Sequence, residues 1–585
     1  MLRRAGQIAK WFLGPESGAY GHLGPRWIFL RALGIIFFSA FYSLVFQAKG
    51  LIGPNGILPA NVYINAVGHS VHGLAKFWFV PSVFWASSTD RALVTVCWIG
   101  MIAAILLVLN FWPRAMTAIC FICFLSFIAT LQDFANYQSD GMLLAAGFLC
   151  LFFAPRGLRP GWGQLSPPSR VCLWLLLWEW FRIYFESGLA KILGGDPEWR
   201  HLTAMYEYYQ NGPLPTWIGW YVQHAPHWFH WLTALATLIM ELGIVLMLFL
   251  PRRFRIICFF IVTPWEIGVI LTANYAFLNY LVLALGFLLL DDQFLVRVAP
   301  RNWFPKYHVM VAMRAEDSAA ESAAKPAAPI SLFAAPESKL RQSAPPALKD
   351  SAQSAATVQQ TNDTVRAIRR IWAFARMTIA GICFAWIFYA TTMQLIWMWA
   401  PGFPSPEYKV QKVTQWPIEK IEPFRVANQY GLFGVMTRGR YEIEFQGSND
   451  DGKTWTAYPF RYKPQALNEA PRIYAPYQPR FDWNLWFASL GNWRQYQFVV
   501  GTEEALLDNS PEVLSLFARD PFPNGPPQEI RVVIWQYWFT TLGVKRQTGN
   551  WWTRKLLGLY APTLVREPDG RFGVVQFPNI LPPHD

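Results

Sequence analysis

Charge is what this sequence has least of. Of its 585 residues only 15% are Asp, Glu, Lys or Arg, while 53% are hydrophobic; soluble domains carry about a quarter charged residues. Such a shortfall puts much of the chain in lipid. Cysteine is scarce as well. All seven (Cys97, Cys120, Cys123, Cys150, Cys172, Cys258, Cys383) fall in apolar segments, and none follows residue 400. That excludes a disulfide framework or a thiolate zinc site in the C-terminal part. Cys120 and Cys123 form a CxxC inside the apolar run Ala118–Thr130, where a buried thiol packs rather than reacts. A nucleophile elbow, a Walker loop, a dinucleotide-binding Gly-rich turn and HExxH are all missing, which weighs against a soluble-type catalytic module. The net charge of +13 comes from short Lys/Arg clusters between apolar runs. That is the positive-inside pattern, and no nucleic-acid motif accompanies it, so nucleic acid is not an expected partner.

Apolar runs are what is present. Trp27–Phe46, Ala92–Phe111, Ala115–Leu131, Gly141–Ala154, Val171–Leu193, Phe229–Leu250, Phe254–Leu271, Tyr275–Leu290 and Ile371–Met398 predict about nine spans, judged against the ~20 residues a helix needs to cross the hydrocarbon core. The 30 Trp and 45 Phe suit membrane interfaces. The basic MLRRAGQIAK start, with no small-residue cleavage site after the first run, reads as an uncleaved anchor. With that end in the cytoplasm, Arg114, Pro155–Arg170, Pro251–Arg255 and Arg297–Arg370 also fall inside. The loops Gln132–Asp140 and Thr272–Asn279, free of Lys and Arg, fall outside. An odd span count then places everything after residue 399 outside.

Within the cytoplasmic stretch, residues 315–365 are rich in Ala, Ser, Pro and Gln and predict a disordered linker. After residue 400, Tyr441–Phe445, Trp455–Tyr462 and Ile530–Phe539 alternate as strands do. Ser448–Trp455 fits S-x-D-x-G-x-T-W, a pattern similar to the Asp-box hairpin turn, whose role is structural. Asp482 and Thr502 read as caps of short helices. The expected architecture is an α-helical polytopic membrane bundle over residues 1–299, a linker over 300–368 and a last span over 369–399. A mainly-β, sandwich-like soluble domain over 400–585 completes it.

The fifth predicted span holds Glu179, Arg182 and Glu186 at i, i+3 and i+7, on one helical face. Each charge in mid-membrane costs at least about 2.5 kcal/mol unless paired or facing water. Two readings are open: an internal ion network that fixes packing, or a polar cavity for a substrate or proton. Glu241 and Glu266, in the next two spans, are candidate partners for Arg182 or for such a cavity. His224, His227 and His230 are spaced by three, but Pro226 interrupts a helix there and no carboxylate is near. No metal and no cofactor are therefore expected. His69, His72 and Lys76 read as a solvated interfacial face.

Several blocks then point to a family. Gly50–Ala60 (GLIGPNGILPA) and the run Glu186–Gln210, with its outer-loop residues Asp196, Trp199 and Arg200, resemble the lipase maturation factor family. So do Pro213–Pro215, the His230 region, Asn428–Thr437 (NQYGLFGVMT), Phe460–Pro464 and Ala475–Leu490 (APYQPRFDWNLWFASL). Animal members of that family are endoplasmic-reticulum proteins needed for folding and assembly of secreted lipases. The resemblance implies a maturation factor for exported clients, a lipase among them. The long Ala/Pro linker and the lack of an Asn-x-Ser/Thr sequon after residue 400 suit a bacterial member, in the plasma membrane with the C-terminal domain periplasmic or extracellular. Membrane lipids and an exported client are the expected partners, and the oligomeric state is not fixed by the sequence. Tyr430, Phe433, Arg480, Trp483 and Trp486 are candidate client contacts, with a core role as the alternative for the Trp residues. Ser187–Lys191 is similar, more distantly, to the vitamin K-dependent carboxylase-like transmembrane superfamily, in which the matching lysine is a base. That resemblance implies an alternative function: an integral-membrane enzyme using Lys191 on a lipid or quinone-like substrate.

Overall fold

In the computed structural model of the chain, residues 18–135, 137–302, 304–323, 375, 378–400 and 408–579 are described. The basic N-terminal segment and residues 324–368 of the expected linker lie outside them. The remainder of that linker departs from expectation, because Pro305–Ala323 is helical. Alanine has the highest intrinsic helix propensity, so an Ala-rich stretch needs little packing to form a helix.

The chain divides into two compact units. One includes Asp292–Ile387; within it the Tyr307 hydroxyl donates to Asp292 Oδ1 at 2.8 Å. The other comprises Gly18–Asp291 with the chain from Phe388 onward, and it holds most of the bundle and the C-terminal sheet.

Helices α1 (Leu23–Ile52), α2 (Asp90–Val108), α3 (Pro113–Ile128), α4 (Gln138–Phe153) and α5 (Arg170–Leu193) open the bundle. They are followed by α6 (His227–Leu242), α7 (Arg252–Thr272), α8 (Leu278–Gly286) and a last helix α9 (Thr378–Trp399). Five helices among the described residues are long and apolar enough to cross a membrane: α1, α2, α6 with its 3-10 extension to Phe249, α7 and α9. The expected count of about nine is not met by that measure, for two reasons. The helices α3 and α4 are 16 residues each and α8 is 9, about 24 Å or less at 1.5 Å per residue against a core of about 30 Å. The helix α5 is long enough, but its ionisable residues break the apolar run.

Helix α1 packs against α2, α4 and α8, and α5 packs against α4, α6 and α8. Close approach needs small residues at the contact. A Cβ on Gly100 of α2 would sit 2.5 Å from the Phe41 ring of α1.

The C-terminal region holds one antiparallel sheet of order β2-β1-β3-β4-β5, with β1 Arg440–Ser448, β2 Thr456–Ala457, β3 Glu529–Phe539, β4 Trp552–Arg566 and β5 Phe572–Gln576. Ile443 pairs with Ile534 and Phe445 with Val532. No second sheet occurs among the described residues, so the sandwich expectation is corrected. Helices α10 (Arg480–Ser489) and α11 (Gln497–Leu507) lie against the sheet instead, α10 on β1 and α11 on β3 and β4. The alternating residues Glu442 and Glu444 of β1 are buried too. Lys463 Nζ is 2.7 Å from Glu442 Oε2, and Arg554 Nη1 is 3.2 Å from Glu444 Oε2.

The hairpin turn at Ser448–Trp455 forms locally. Asp450 accepts from the Thr454 amide at 2.8 Å and its hydroxyl at 2.7 Å, and Trp455 Nε1 donates to Gly452 O at 2.9 Å. Those two Thr454 bonds, with the Ser448 hydroxyl, hold the Asp450 carboxyl down to about 2. The two expected caps are corrected. Asp482 lies in the first turn of α10 and accepts from the Tyr462 and Lys463 amides across the fold. Thr502 is inside α11, bonded to Phe498 O.

Candidate functional site

The three charges predicted on one face of α5 do lie together, and none of their side chains is more than 5% exposed. Arg182 Nη2 is 2.8 Å from Glu179 Oε2, and Nη1 is 3.2 Å from Glu186 Oε1. Helical spacing alone allows those pairs. What it does not supply is the rest of the hydrogen bonding that buried ions need. That comes from a distant part of the chain. Both Nη atoms of Arg182 donate to Asn428 O at 2.9 Å. Glu186 Oε2 accepts the Tyr430 amide at 2.7 Å, and the Tyr430 hydroxyl donates to Glu179.

The contact continues along the helix. The Leu432 amide donates to Ser187 Oγ at 3.3 Å, and Leu432 O accepts from Lys191 Nζ at 2.8 Å. Beyond α5, Trp199 Nε1 donates to Phe433 O at 2.9 Å and the Met436 amide donates to Asp196 Oδ2 at 2.6 Å. Asn211 Nδ2 then donates to Thr437 O at 2.8 Å. Asp196 also caps the short helix after α5 by accepting from the Glu198 amide at 3.0 Å, while Arg200 is exposed.

Residues 428–437 are non-helical and so carry amides and carbonyls that no helix ladder satisfies. The buried ions of α5 need more hydrogen bonds than their own helix supplies, and this backbone needs partners too. Each meets the other's need. The fit is close: a Cβ on Gly434 would lie 3.1 Å from the Ala190 Cβ, and Phe433 holds a left-handed φ of 56°. Left-handed backbone in a bulky residue persists only where its surroundings impose it.

Glu241 and Glu266 are not partners of Arg182. Glu241 pairs with Lys191 at 2.8 Å. Glu266 accepts from the Tyr184 hydroxyl at 2.6 Å and from Asn279 Nδ2 at 2.7 Å. Four helices thereby converge on two polar ties, α5 to α6 and α5 through α7 to α8.

A second contact joins α10 to the bundle. Arg480 Nη1 and Nη2 meet the two Asp140 oxygens of α4 at 2.7 and 2.8 Å, and Arg480 Nη1 also donates to Phe134 O at 2.8 Å. The Tyr137 hydroxyl donates to Asn484 Oδ1 at 2.9 Å, and Trp486 Nε1 donates to Asn211 O at 3.1 Å. Four of the five candidate client contacts, Tyr430, Arg480, Trp483 and Trp486, are therefore buried inside the protein, none more than 7% exposed. Packing against the bundle leaves Tyr430 and Arg480 no open surface for a client, and gives Trp483 and Trp486 the core position that was the alternative expected of them. Phe433 is partly buried, and with Trp483 and Trp486 it lines a cavity of about 400 Å³.

Sequence reasoning did not single out Asp140, Asn211 or Asn274. Asn274 binds Arg472 O at 2.8 Å and accepts from the Tyr474 amide at 2.7 Å. Asp140 and Asn274 are polar residues at the edge of an apolar run, which is the one signal they gave, and Asn211, in the loop between two predicted spans, gave none. His224 and His230 bond to carbonyl groups, the former to Thr540 O at 2.9 Å, and His227 packs on Tyr206. No trio of His, Cys, Asp or Glu among the described residues is placed to hold a metal.

The fold and the site together define a class: an integral membrane protein whose helix bundle grips a C-terminal β-sheet region through buried ions. The match to known families is specific. The lipase maturation factor transmembrane domain matches residues 24–297, and the lipase maturation factor C-terminal domain matches residues 426–562. The chain belongs to the lipase maturation factor family. It is 29% identical to lipase maturation factor 2 of Gallus gallus, across 92% of this chain and 81% of that protein. It is 28% identical to lipase maturation factor 1 of Bos taurus, across 93% and 89%. With lipase maturation factor 1 of Homo sapiens it shares 26% identity across 94% and 90%. No solved structure matches the chain.

Proposed function

We propose that the chain is a membrane-embedded maturation factor for exported proteins, lipases among them, with its N-terminus in the cytoplasm and its C-terminal region outside. The observation that carries this reading is that both halves align with lipase maturation factors along most of their length. The Lys/Arg distribution of the loops supports the orientation. The lack of a sequon after residue 400 supports a bacterial plasma-membrane setting, although the relatives named above are animal proteins.

Within this reading, α5 holds the C-terminal region at a fixed height and angle over the membrane. Lys191 belongs to that grip, because its ammonium is taken up by Glu241 and Leu432 O. A lysine base needs its lone pair free, and this nitrogen, although it borders a cavity, is already engaged by a carboxylate and a carbonyl. This favours maturation over carboxylase-like catalysis.

The test is the specific activity of an exported lipase made in cells with and without this chain. Removing the chain is expected to lower activity per mass of lipase, and wild-type chain is expected to restore it. Unchanged specific activity would sink the proposal. Lys191→Met with Glu241→Leu removes the pair without leaving a lone charge. If that double variant accumulates normally and supports maturation, Lys191 is not a catalytic base.

A further inference from the structure

A cavity of about 410 Å³ lies among α5, α6, α7 and α8. Protein interiors pack with few voids larger than a water, and an apolar cavity of about 150 Å³ already takes up a small hydrocarbon. The wall of α6 is built from Phe229, Thr233, Thr237 and Glu241, four residues apart each time, so they share one face. Opposite, Gly268 of α7 lines the cavity, and a Cβ there would meet nothing within 4 Å. Residues 199–209 together with Leu432 and Phe433 close the end toward the C-terminal region.

The polar groups of the helical walls already have partners. Lys191 is with Glu241, and Glu266 is held by Tyr184 and Asn279. Thr233 and Thr237 donate to carbonyls of their own helix at 2.8 and 2.9 Å. Ordered water requires two to four unmet polar partners. Apart from the buried Tyr275 hydroxyl, which has no hydrogen bond, and Glu241 Oε2, which is held by the Lys191 ion pair, the lining adds no buried unmet group. The occupant such a lining selects is apolar. Its source is suggested by position: α6 and α7 are membrane-spanning candidates, and Gly268, a cavity residue, is itself exposed. Ile239, Ile267 and Leu271, on the same two helices, are each more than 40% exposed, as lipid-facing residues are.

We infer that this cavity is a binding site for one acyl chain of a membrane amphiphile, entering between α6 and α7. The site stands apart from the maturation reading, since its occupancy is measured without a client. A diazirine-bearing free fatty acid and a phospholipid carrying the same group in one acyl chain provide the two probes. Each is added to liposomes holding the full chain, and cross-linked peptides are mapped after illumination. Label is expected on the cavity-lining Thr233, Thr237 and Glu241 of α6 and Trp265 and Val269 of α7, over a background at Ile239, Ile267 and Leu271 from bulk lipid. It is expected to be lost at the cavity-lining residues in Gly268→Trp and Thr237→Trp, which fill the cavity, and kept in Ile257→Trp on the lipid-facing side. Label from the fatty acid alone identifies a free acid as the source; label from the phospholipid identifies a bilayer lipid. If both filled variants keep the wild-type melting temperature and the same cross-links, the inference is overturned. It is equally overturned if neither probe labels the cavity-lining residues in the wild-type chain.

Discussion

The bundle meets the C-terminal region at two contacts built on opposite principles. At α5 all the charges belong to the bundle, and residues 428–432 answer mainly with backbone: Asn428 O, the Tyr430 amide and Leu432 O. At α10 the charge is shared, with Arg480 from the C-terminal region and Asp140 from α4. A backbone carbonyl is the same in every residue, so the first contact tolerates sequence change in the loop while demanding its conformation. The second depends on two particular side chains. The difference predicts where each contact is fragile.

The largest effect should follow Arg182→Met, which strands two carboxylates in the interior. Breaking a buried pair from one side costs about 3–5 kcal/mol. Melting in detergent should show a loss of that order, with little protein accumulating; a loss under about 1 kcal/mol would mean that the charges are not held as described. Arg480→Ala should be of similar size, since Asp140 is left buried alone. Here, however, the double change Arg480→Met with Asp140→Leu should recover most of the stability, because replacing a buried pair by apolar groups is often neutral. Failure of the double variant to improve on the single one would erase the distinction between the contacts.

A smaller effect, of about 1–3 kcal/mol, is expected for Gly434→Val, where the added bulk meets Ala190. Ala190→Gly should offset part of it. In the same loop Leu432→Met should be nearly silent, because Lys191 reads only the carbonyl there.

A pH-dependent effect tests the C-terminal region by itself. Glu503 in α11 is fully buried with neither carboxylate oxygen hydrogen-bonded, and burial holds its carboxyl well above the ordinary 4.5. The folded state therefore keeps a proton that the unfolded state releases. Stability from this group is complete below the unfolded value and falls as pH rises toward the folded one. Glu503→Met should raise the melting temperature at neutral pH, and the gain should shrink as pH approaches about 4. A gain that is equal at both ends, or reversed, would contradict the protonated assignment.

Some of this was written in the sequence. A helix stands at each of the nine predicted apolar runs, because a long apolar run buries itself best as a helix, but only five of these helices are long and apolar enough to span a membrane. The Glu179, Arg182 and Glu186 face was visible because ionisable residues stand out in an apolar helix. The hairpin at Ser448–Trp455 was legible because its hydrogen bonds close within eight residues. The sandwich was not, since alternation in β1 states that a face is covered but not whether a sheet or a helix covers it. Strands β4 and β5 passed unnoticed; in β4 the bulges break its alternation against β3.

Composition, periodicity and span length thus determined by themselves that this is a membrane bundle with a β-rich C-terminal region and charges that require partners. Only the tertiary structure decided who those partners are. Backbone groups of residues 428–432 carry no side-chain signature, and they lie more than two hundred residues from α5 along the chain. The same packing turned Tyr430 and Arg480 from a surface into an interior. Burial depends on what the rest of the chain brings alongside, and no local pattern records that.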